Sequence, residues 1–291
     1  MLLRAFLVAV FLASAIGCGR EDVNATLQKV ARAREVAADL TVKFTMASDA
    51  ANRAVMADTD DASVAFAKES RESAAAVQTD VEQLRPMLEA LGYTDEDSLL
   101  TAFATNFAEY RRLDDNVLGL AVENTNLKAQ RLAFGPAQDA ANDFREALKG
   151  LTPATPADSW HVAALAANAV MTVREIQVLQ GPHIANADAA VMTRMEQQMS
   201  TSETAARKAL DELRSLVAPA SRTKLAAANE ALKRFLDLNT QLIALSRRNT
   251  NVHSLMLSLD DKRTLTVACQ GNLRALQTAL SKRGYSGIRQ R

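Results

Sequence analysis

The chain of 291 residues is neutral, with 34 Lys plus Arg against 34 Asp plus Glu, and it is 48% hydrophobic but only 4% aromatic. Neutrality removes the electrostatic reason to expect DNA or RNA as a partner. With 55 alanines against 10 glycines and 6 prolines, the composition favours few, long helices over a β-sandwich or a loop-rich α/β enzyme.

At the N-terminus Arg4 precedes an apolar run at 5–16 that closes on small residues. This is the layout of a secretory signal peptide and is too short for a comfortable membrane span. The run Ala15-Ile16-Gly17-Cys18 resembles a bacterial lipobox, which implies cleavage after residue 17, lipidation of Cys18 and anchoring of an exported chain to a membrane leaflet. Gly19, in place of an aspartate, resembles lipoproteins passed on to an outer membrane. The alternative is an ordinary cleaved signal with an incidental cysteine. Cys269 is then the other cysteine and sits in an apolar helical pattern, so it reads as a small core side chain, with no disulfide framework implied.

The helix breakers come next. Gly92 followed by Thr94-Asp95-Glu96-Asp97 predicts a C-cap and then a capping box. Gly150 with Thr155-Pro156-Ala157-Asp158 predicts another stop and start, Pro219 a third boundary, and Lys282-Arg283-Gly284 a last stop. The predicted helices run over 23–91, 95–149, 156–217 and 220–283, and some 60 residues make about 90 Å of helix. The expected fold is all-α: residues 19–291 form an elongated antiparallel up-down-up-down four-helix bundle of two repeated long hairpins, 23–149 and 156–283. Bends or divisions are expected near Gly135-Pro136 and Gly181-Pro182.

An internal repeat supports the paired hairpins. Residues 110–127 align without gaps onto 235–252, with Asn-Thr-Asn at 124–126 and again at 249–251. Tyr110 with Phe235, Val117 with Leu242 and Leu120 with Leu245 keep the apolar phase. Asn124 and Asn249 fall where the alternating spacing of four and three calls for an apolar residue, so both point inward on this reading. Counting from the turns brings Asp58, Asp60 and Asp61, Asn124 and Asn126, His183, Asn186 and Asp188, and Asn249, Asn251 and His253 to one approximate level. A buried polar cluster must be mutually hydrogen-bonded, hydrated or filled by a ligand. The candidate ligand-binding residues are therefore Asp58, Asn124, Asn126, His183, Asn186, Asn249 and His253, and the competing reading is a device that sets helix register. An accessible cavity at Asn124, His183 and Asn249 favours binding; a closed layer favours structure.

With three histidines and no HExxH, cysteine-rich or CxxCH spacing, no metal and no cofactor are expected, a haem- or metal-binding bundle remaining a minor alternative. The methionines read as core filler, Trp160 as a shield over the bundle end, and the pairs Arg111-Arg112 and Arg247-Arg248 as solvated faces. No Ser/His/Asp, Cys/His or paired-carboxylate constellation is apparent, so no enzyme is expected.

The stretch FAEYRRLDDNVLGLAVENTNLKAQRLAFGPAQDAANDF, from Phe107 with Tyr110 through Ala129, resembles the extracytoplasmic four-helix-bundle ligand-binding domains of bacterial chemoreceptors and sensor kinases. Residues 161–199 give a second echo. The resemblance implies sensing of a small molecule or an envelope partner protein, commonly as a homodimer, with sites between helices near the bundle interior or dimer seam. No methylated or kinase segment is recognisable, so the expectation is a non-enzymatic, sensor-like lipoprotein of the cell envelope without the signalling part. The alternative is a structural or assembly bundle with no small ligand.

Overall fold

Apolar residues spaced three and four apart put one stripe of each helix into a core. The computed structural model describes the backbone of residues 2–286 and the side chains of residues 23–283; the proposed signal peptide and Cys18 lie outside the described side chains. The described residues are all-α. The helices are α1 (Leu2–Val55), α2 (Asp60–Leu91), α3 (Thr94–Glu123), α4 (Thr125–Phe134), α5 (Pro136–Leu148), α6 (Ser159–Ala185), α7 (Ala189–Leu216), α8 (Arg222–Arg248), α9 (Thr250–Leu257) and α10 (Arg263–Ser286), with a π-helical turn at Ser258–Lys262.

Most of the breakers act where the sequence places them, but Lys282-Arg283-Gly284 does not, since α10 continues through Gly284 to Ser286. Gly92 and Gly150 adopt φ of 68° and 62°, the left-handed conformation that glycine enters without a Cβ penalty. Thr155 donates from its hydroxyl to Asp158 at 2.6 Å, and Pro219 opens a short 3-10 turn before α8. Gly135 ends α4 and Pro136 stands at the first position of α5. Helix α6, in contrast, runs through Pro182 and ends three residues later.

The expected single helix over 23–91 is two helices. The chain breaks at 56–59 and turns back, as Ser63 Oγ donating to the Ala54 carbonyl at 3.1 Å and Ser70 Oγ donating to that of Ala47 at 3.0 Å demonstrate. Asp58 and Thr59 followed by Asp60 and Asp61 have the make-up of a helix start, with side-chain acceptors and then negative charge near the helix N-terminus. The break contains neither glycine nor proline, so a search for those residues passes over it. Likewise 95–149 is interrupted at Asn124 and Gly135, 156–217 at 186–188, and 220–283 at Asn249.

By contact the chain groups into two units. Residues 1–57, 61–119 and 257–291 form the first. In it α2 and α3 are antiparallel, joined by Arg85 to Asp97 at 3.1 Å. Helix α10 lies antiparallel to α1 and α3, through Arg34 to the Leu280 carbonyl and Arg283 to Glu96. Its core holds Phe44 edge-on to Phe103, Phe107 and Tyr110, with ring centroids 5.2 to 6.0 Å away. Cys269 is buried in that core, and burial pushes its thiol up to about 12, as expected for an inert core cysteine.

Residues 58–60 and 120–256 form the second unit. Here α5 is antiparallel to α8, with Asp143 to Arg234 at 2.8 Å, and α6 to α7, with Ser202 donating to Glu175 at 2.8 Å. Phe144, Ile176, Leu213, Leu232 and Phe235 lie at the centre of its core.

Candidate functional site

The two Asn-Thr-Asn segments meet face to face in the second unit. Asn124 and Asn249 have φ of 50° and 52°, a left-handed conformation that Asn tolerates better than most residues. Each therefore ends one helix and begins the next, and its carbonyl accepts the first bond of the new helix, from the amides of Lys128 and His253. A helix start leaves its first N–H groups without intrahelical acceptors. Each segment satisfies those of the other. The Thr125 amide donates to Thr250 Oγ1 at 3.2 Å and the Thr250 amide to Thr125 Oγ1 at 3.1 Å; the amides of Asn126 and Asn251 donate to each other's side-chain Oδ1, both at 3.1 Å.

The remaining amide groups extend this local two-fold pattern. Asn126 Nδ2 donates to Asn249 Oδ1 at 2.7 Å, and Asn251 Nδ2 donates to Asn124 Oδ1 at 2.9 Å. The third strand of contacts comes from the end of α6 and is asymmetric. Asn249 Nδ2 donates to the Asn186 carbonyl at 2.7 Å and Asn126 Nδ2 to that of Ile184 at 2.6 Å. Asn124 Nδ2 has no partner among the described residues.

One turn from this layer His183 is fully buried. Its Nδ1 lies 2.8 Å from Ser246 Oγ and its Nε2 2.8 Å from Glu196 Oε1. Arg247 grips both oxygens of Glu196, at 2.6 and 2.8 Å. A serine, an imidazole and a carboxylate in contact are the parts of a nucleophilic site, and sequence spacing did not reveal them because they come from three helices. Ser246 is sealed, however: it is fully buried and its hydroxyl also lies 2.9 Å from the His183 carbonyl. The chain Arg247–Glu196–His183–Ser246 ties α6, α7 and α8 together.

The hydrogen bonds from Arg247 hold Glu196 below its ordinary value of 4.5, against the opposing pull of partial burial and with help from His183. A carboxylate depressed on folding contributes stability that is complete above its unfolded-state value and is lost as the pH falls through the folded-state value. The melting temperature gap between the wild type and Arg247→Met is therefore expected to be constant above 4.5 and to narrow in more acid solution. A gap independent of pH across that window would dismiss the Arg247–Glu196 linkage.

The predicted residues separate into two sets. Asn124, Asn126 and Asn249 are buried together in the layer, with His183 buried one turn away, and Asn186 joins through its backbone carbonyl. His253 and Asp58 are exposed. His253 is one residue pair beyond the cross-capped turn and faces outward, and Asp58 contributes only its carbonyl, 3.4 Å from Arg131. Asp188 is also exposed and caps α7, accepting from the amides of Ala190 and Val191. Arg247, read as part of a solvated face, belongs to the layer's neighbourhood, while Arg248 pairs with Glu123 at 2.7 Å. Thr125 and Thr250 were legible only as members of the repeat, and Ser246 and Glu196 carried no separate signal.

The layer opens into none of the described grooves. Two apolar grooves of the second unit lie instead along α6: one of about 530 Å³ against α5, lined by Phe144, Ala167 and Met171, and one of about 520 Å³ against α7, lined by Met171, Val178 and Leu179. Between them Trp160, Met171 and Val178 are 72%, 58% and 66% exposed. Trp160 thus does not shield a bundle end, and of the methionines Met192, Met195 and Met199 fill the core while Met46, Met56, Met171 and Met256 are exposed. Residues 156–185 are long and apolar enough to cross a membrane by length and composition, with a mean hydropathy of 1.3 over the best window.

Comparison with family models, with curated proteins and with solved structures gives no match to this chain.

Proposed function

We propose that this chain is an exported, lipid-anchored, non-enzymatic helical protein that binds a protein partner through the outer face of α6. The single observation that carries the reading is the exposure of Trp160, Met171 and Val178 along one line of that helix, since contiguous exposed apolar surface marks interaction sites. The reciprocal hydrogen bonding of the two Asn-Thr-Asn segments supports a register role for the layer. The antiparallel contacts support an up-down arrangement of four helical rods within each unit. The leader sequence ending at Cys18 supports export and anchoring, and the likeness of residues 107–144 and 161–199 to sensor domains supports recognition rather than catalysis. Within that sensor-like reading a protein partner takes precedence over a small molecule, because none of the described grooves reaches the layer while two of them flank the broad face of α6.

Hydrogen exchange on the full chain in mild detergent tests this. Dilute protein, once mixed with cell-envelope extract or raised in concentration by itself, is expected to show slowed exchange in peptides covering 160–178 and unchanged exchange at 124–126 and 249–251. Protection confined to the Asn-Thr-Asn segments, or no change along α6 under either condition, overturns the reading.

A further inference from the structure

Helix α6 carries two ionised residues in its 27, Arg174 and Glu175, and both are exposed. Its outer line runs Trp160, Ala164, Ala167, Met171, Arg174 and Val178, all exposed, at alternating steps of four and three. Steps of four and three are the spacing by which one helix packs along another. The opposite side of α6 already fills its own core with Val162, Ala169, Val173 and Ile176, so the outer line is a second, unoccupied helix-packing seam. Ala164 and Ala167 let another backbone approach closely, and the two grooves beside Met171 give larger side chains a place to enter.

We infer that this seam is covered by α6 of a second copy of the chain, running antiparallel about a two-fold axis between Arg174 and Glu175. The inference rests on the reading of α6 as the recognition face and names its partner. Charge decides among the occupants. Arg174 and Glu175 are neighbours of opposite sign near the middle of α6, and an antiparallel two-fold sets each Arg174 against the other copy's Glu175. A parallel pair would set arginine on arginine. A bilayer would have to take in both charges at the centre of the apolar stripe, which is costly. The same axis sets Met171 opposite Val178 of the other copy, apolar against apolar, and brings Ala164 and Ala167 to the exposed end of the other α6 at Pro182 and Ala185. Such a contact is self-complementary, as a two-fold interface must be, and the neutral chain brings no net repulsion to it.

Cysteine crosslinking of the full chain in cells tests the inference. In Met171→Cys/Val178→Cys the two thiols of one chain lie seven residues apart, about 10.5 Å along the helix and beyond the reach of about 7 Å between Cα atoms of a disulfide. Oxidation is therefore expected to give a product of twice the chain mass on non-reducing gels. The wild type sets the background, and Lys208→Cys on the outer face of α7 controls for collision. Adding Arg174→Glu to the cysteine pair is expected to cut the product by at least about tenfold through like-charge repulsion. Adding Arg174→Glu together with Glu175→Arg is expected to restore it, although Glu175 also accepts from Ser202. The inference is overturned by no dimer above background, by equal dimer from Lys208→Cys, or by a charge swap that does not restore. It is also overturned by an adduct of another mass, or by labelling of α6 from a photoactivatable lipid. Slowed exchange over 160–178 that needs extract, with no crosslinked dimer, sinks the second copy and leaves the partner-binding reading intact; protection that appears on concentrating the protein alone supports both.

Discussion

Replacing Asp114 by leucine is expected to cost about 3–5 kcal/mol, because it strands a charge in the core of the first unit. Lys262 is 1% exposed and Asp114 4%, and their Nζ and Oδ1 atoms are 2.7 Å apart. The Ser70 hydroxyl, which also faces the Ala47 carbonyl, lies 3.1 Å from the second oxygen of Asp114, and the ammonium group lies 5.6 Å from the centre of the Tyr110 ring. Burial pushes the Asp114 carboxyl above its ordinary value of 3.8, a larger effect than the opposing attraction of Lys262. A carboxyl raised on folding contributes stability below the unfolded-state value that is lost as the pH climbs through the folded-state value. Holding the carboxyl ionised beside Lys262 therefore costs stability. Lys262→Met should damage the protein about as much as Asp114→Leu, whereas Asp114→Leu/Lys262→Met should match or exceed the wild type by about 1–4 kcal/mol. Urea unfolding of the four proteins measures the cycle. A double variant as unstable as the sum of the singles would refute the argument.

Asn249→Ala is the second large effect expected, at roughly 2–4 kcal/mol. Part of the loss is conformational, because alanine at a φ of 52° crowds its Cβ against the backbone. The rest is polar: Asn126 Nδ2 loses one of its two acceptors, and the carbonyl of Asn186 loses its donor. Asn249→Gly separates the two, since glycine accepts the backbone conformation and restores only the first part. Asn124→Ala combined with Asn249→Ala should depart from additivity, the two residues sharing one hydrogen-bonded layer. Exchange of the Thr125 and Thr250 amides reports on the cross-capping directly. If Asn249→Gly is as stable as the wild type, the layer contributes nothing to stability.

Much of this arrangement is legible along the chain, and the exceptions share a cause. Gly92, Gly150 and Pro219 mark helix ends because their backbone constraints act within a turn, whereas Pro86 and Pro182 are carried inside α2 and α6. The break at 56–59 was missed although Asp58, Thr59, Asp60 and Asp61 are helix-start residues, because capping is optional for such side chains in a way that the missing amide of proline is not. The repeated Asn-Thr-Asn was visible, and so was the misfit of Asn124 and Asn249 with an apolar stripe. Their role was not, because the groups that satisfy Thr125 and Asn126 belong to residues 250 and 251. Lys262 left a fainter trace. Buried Ser254 and Lys262 are eight residues apart, one more than the seven from Lys262 to Cys269, and the π-helical turn at Ser258–Lys262 absorbs the extra residue.

By itself the sequence determined an all-helical chain, the positions of several helix ends, the apolar phase within the repeat and the place of an unusual polar layer. These follow from period and breaker chemistry, which are local. The tertiary structure decided which groups that layer uses, that Lys262 and Asp114 share a core, and that α6 keeps a second apolar face uncovered. Those facts depend on pairs such as Asn126 with Asn249 or Asp114 with Lys262, more than a hundred residues apart, whose meeting is set by how the helices return upon one another and by no property of either residue alone.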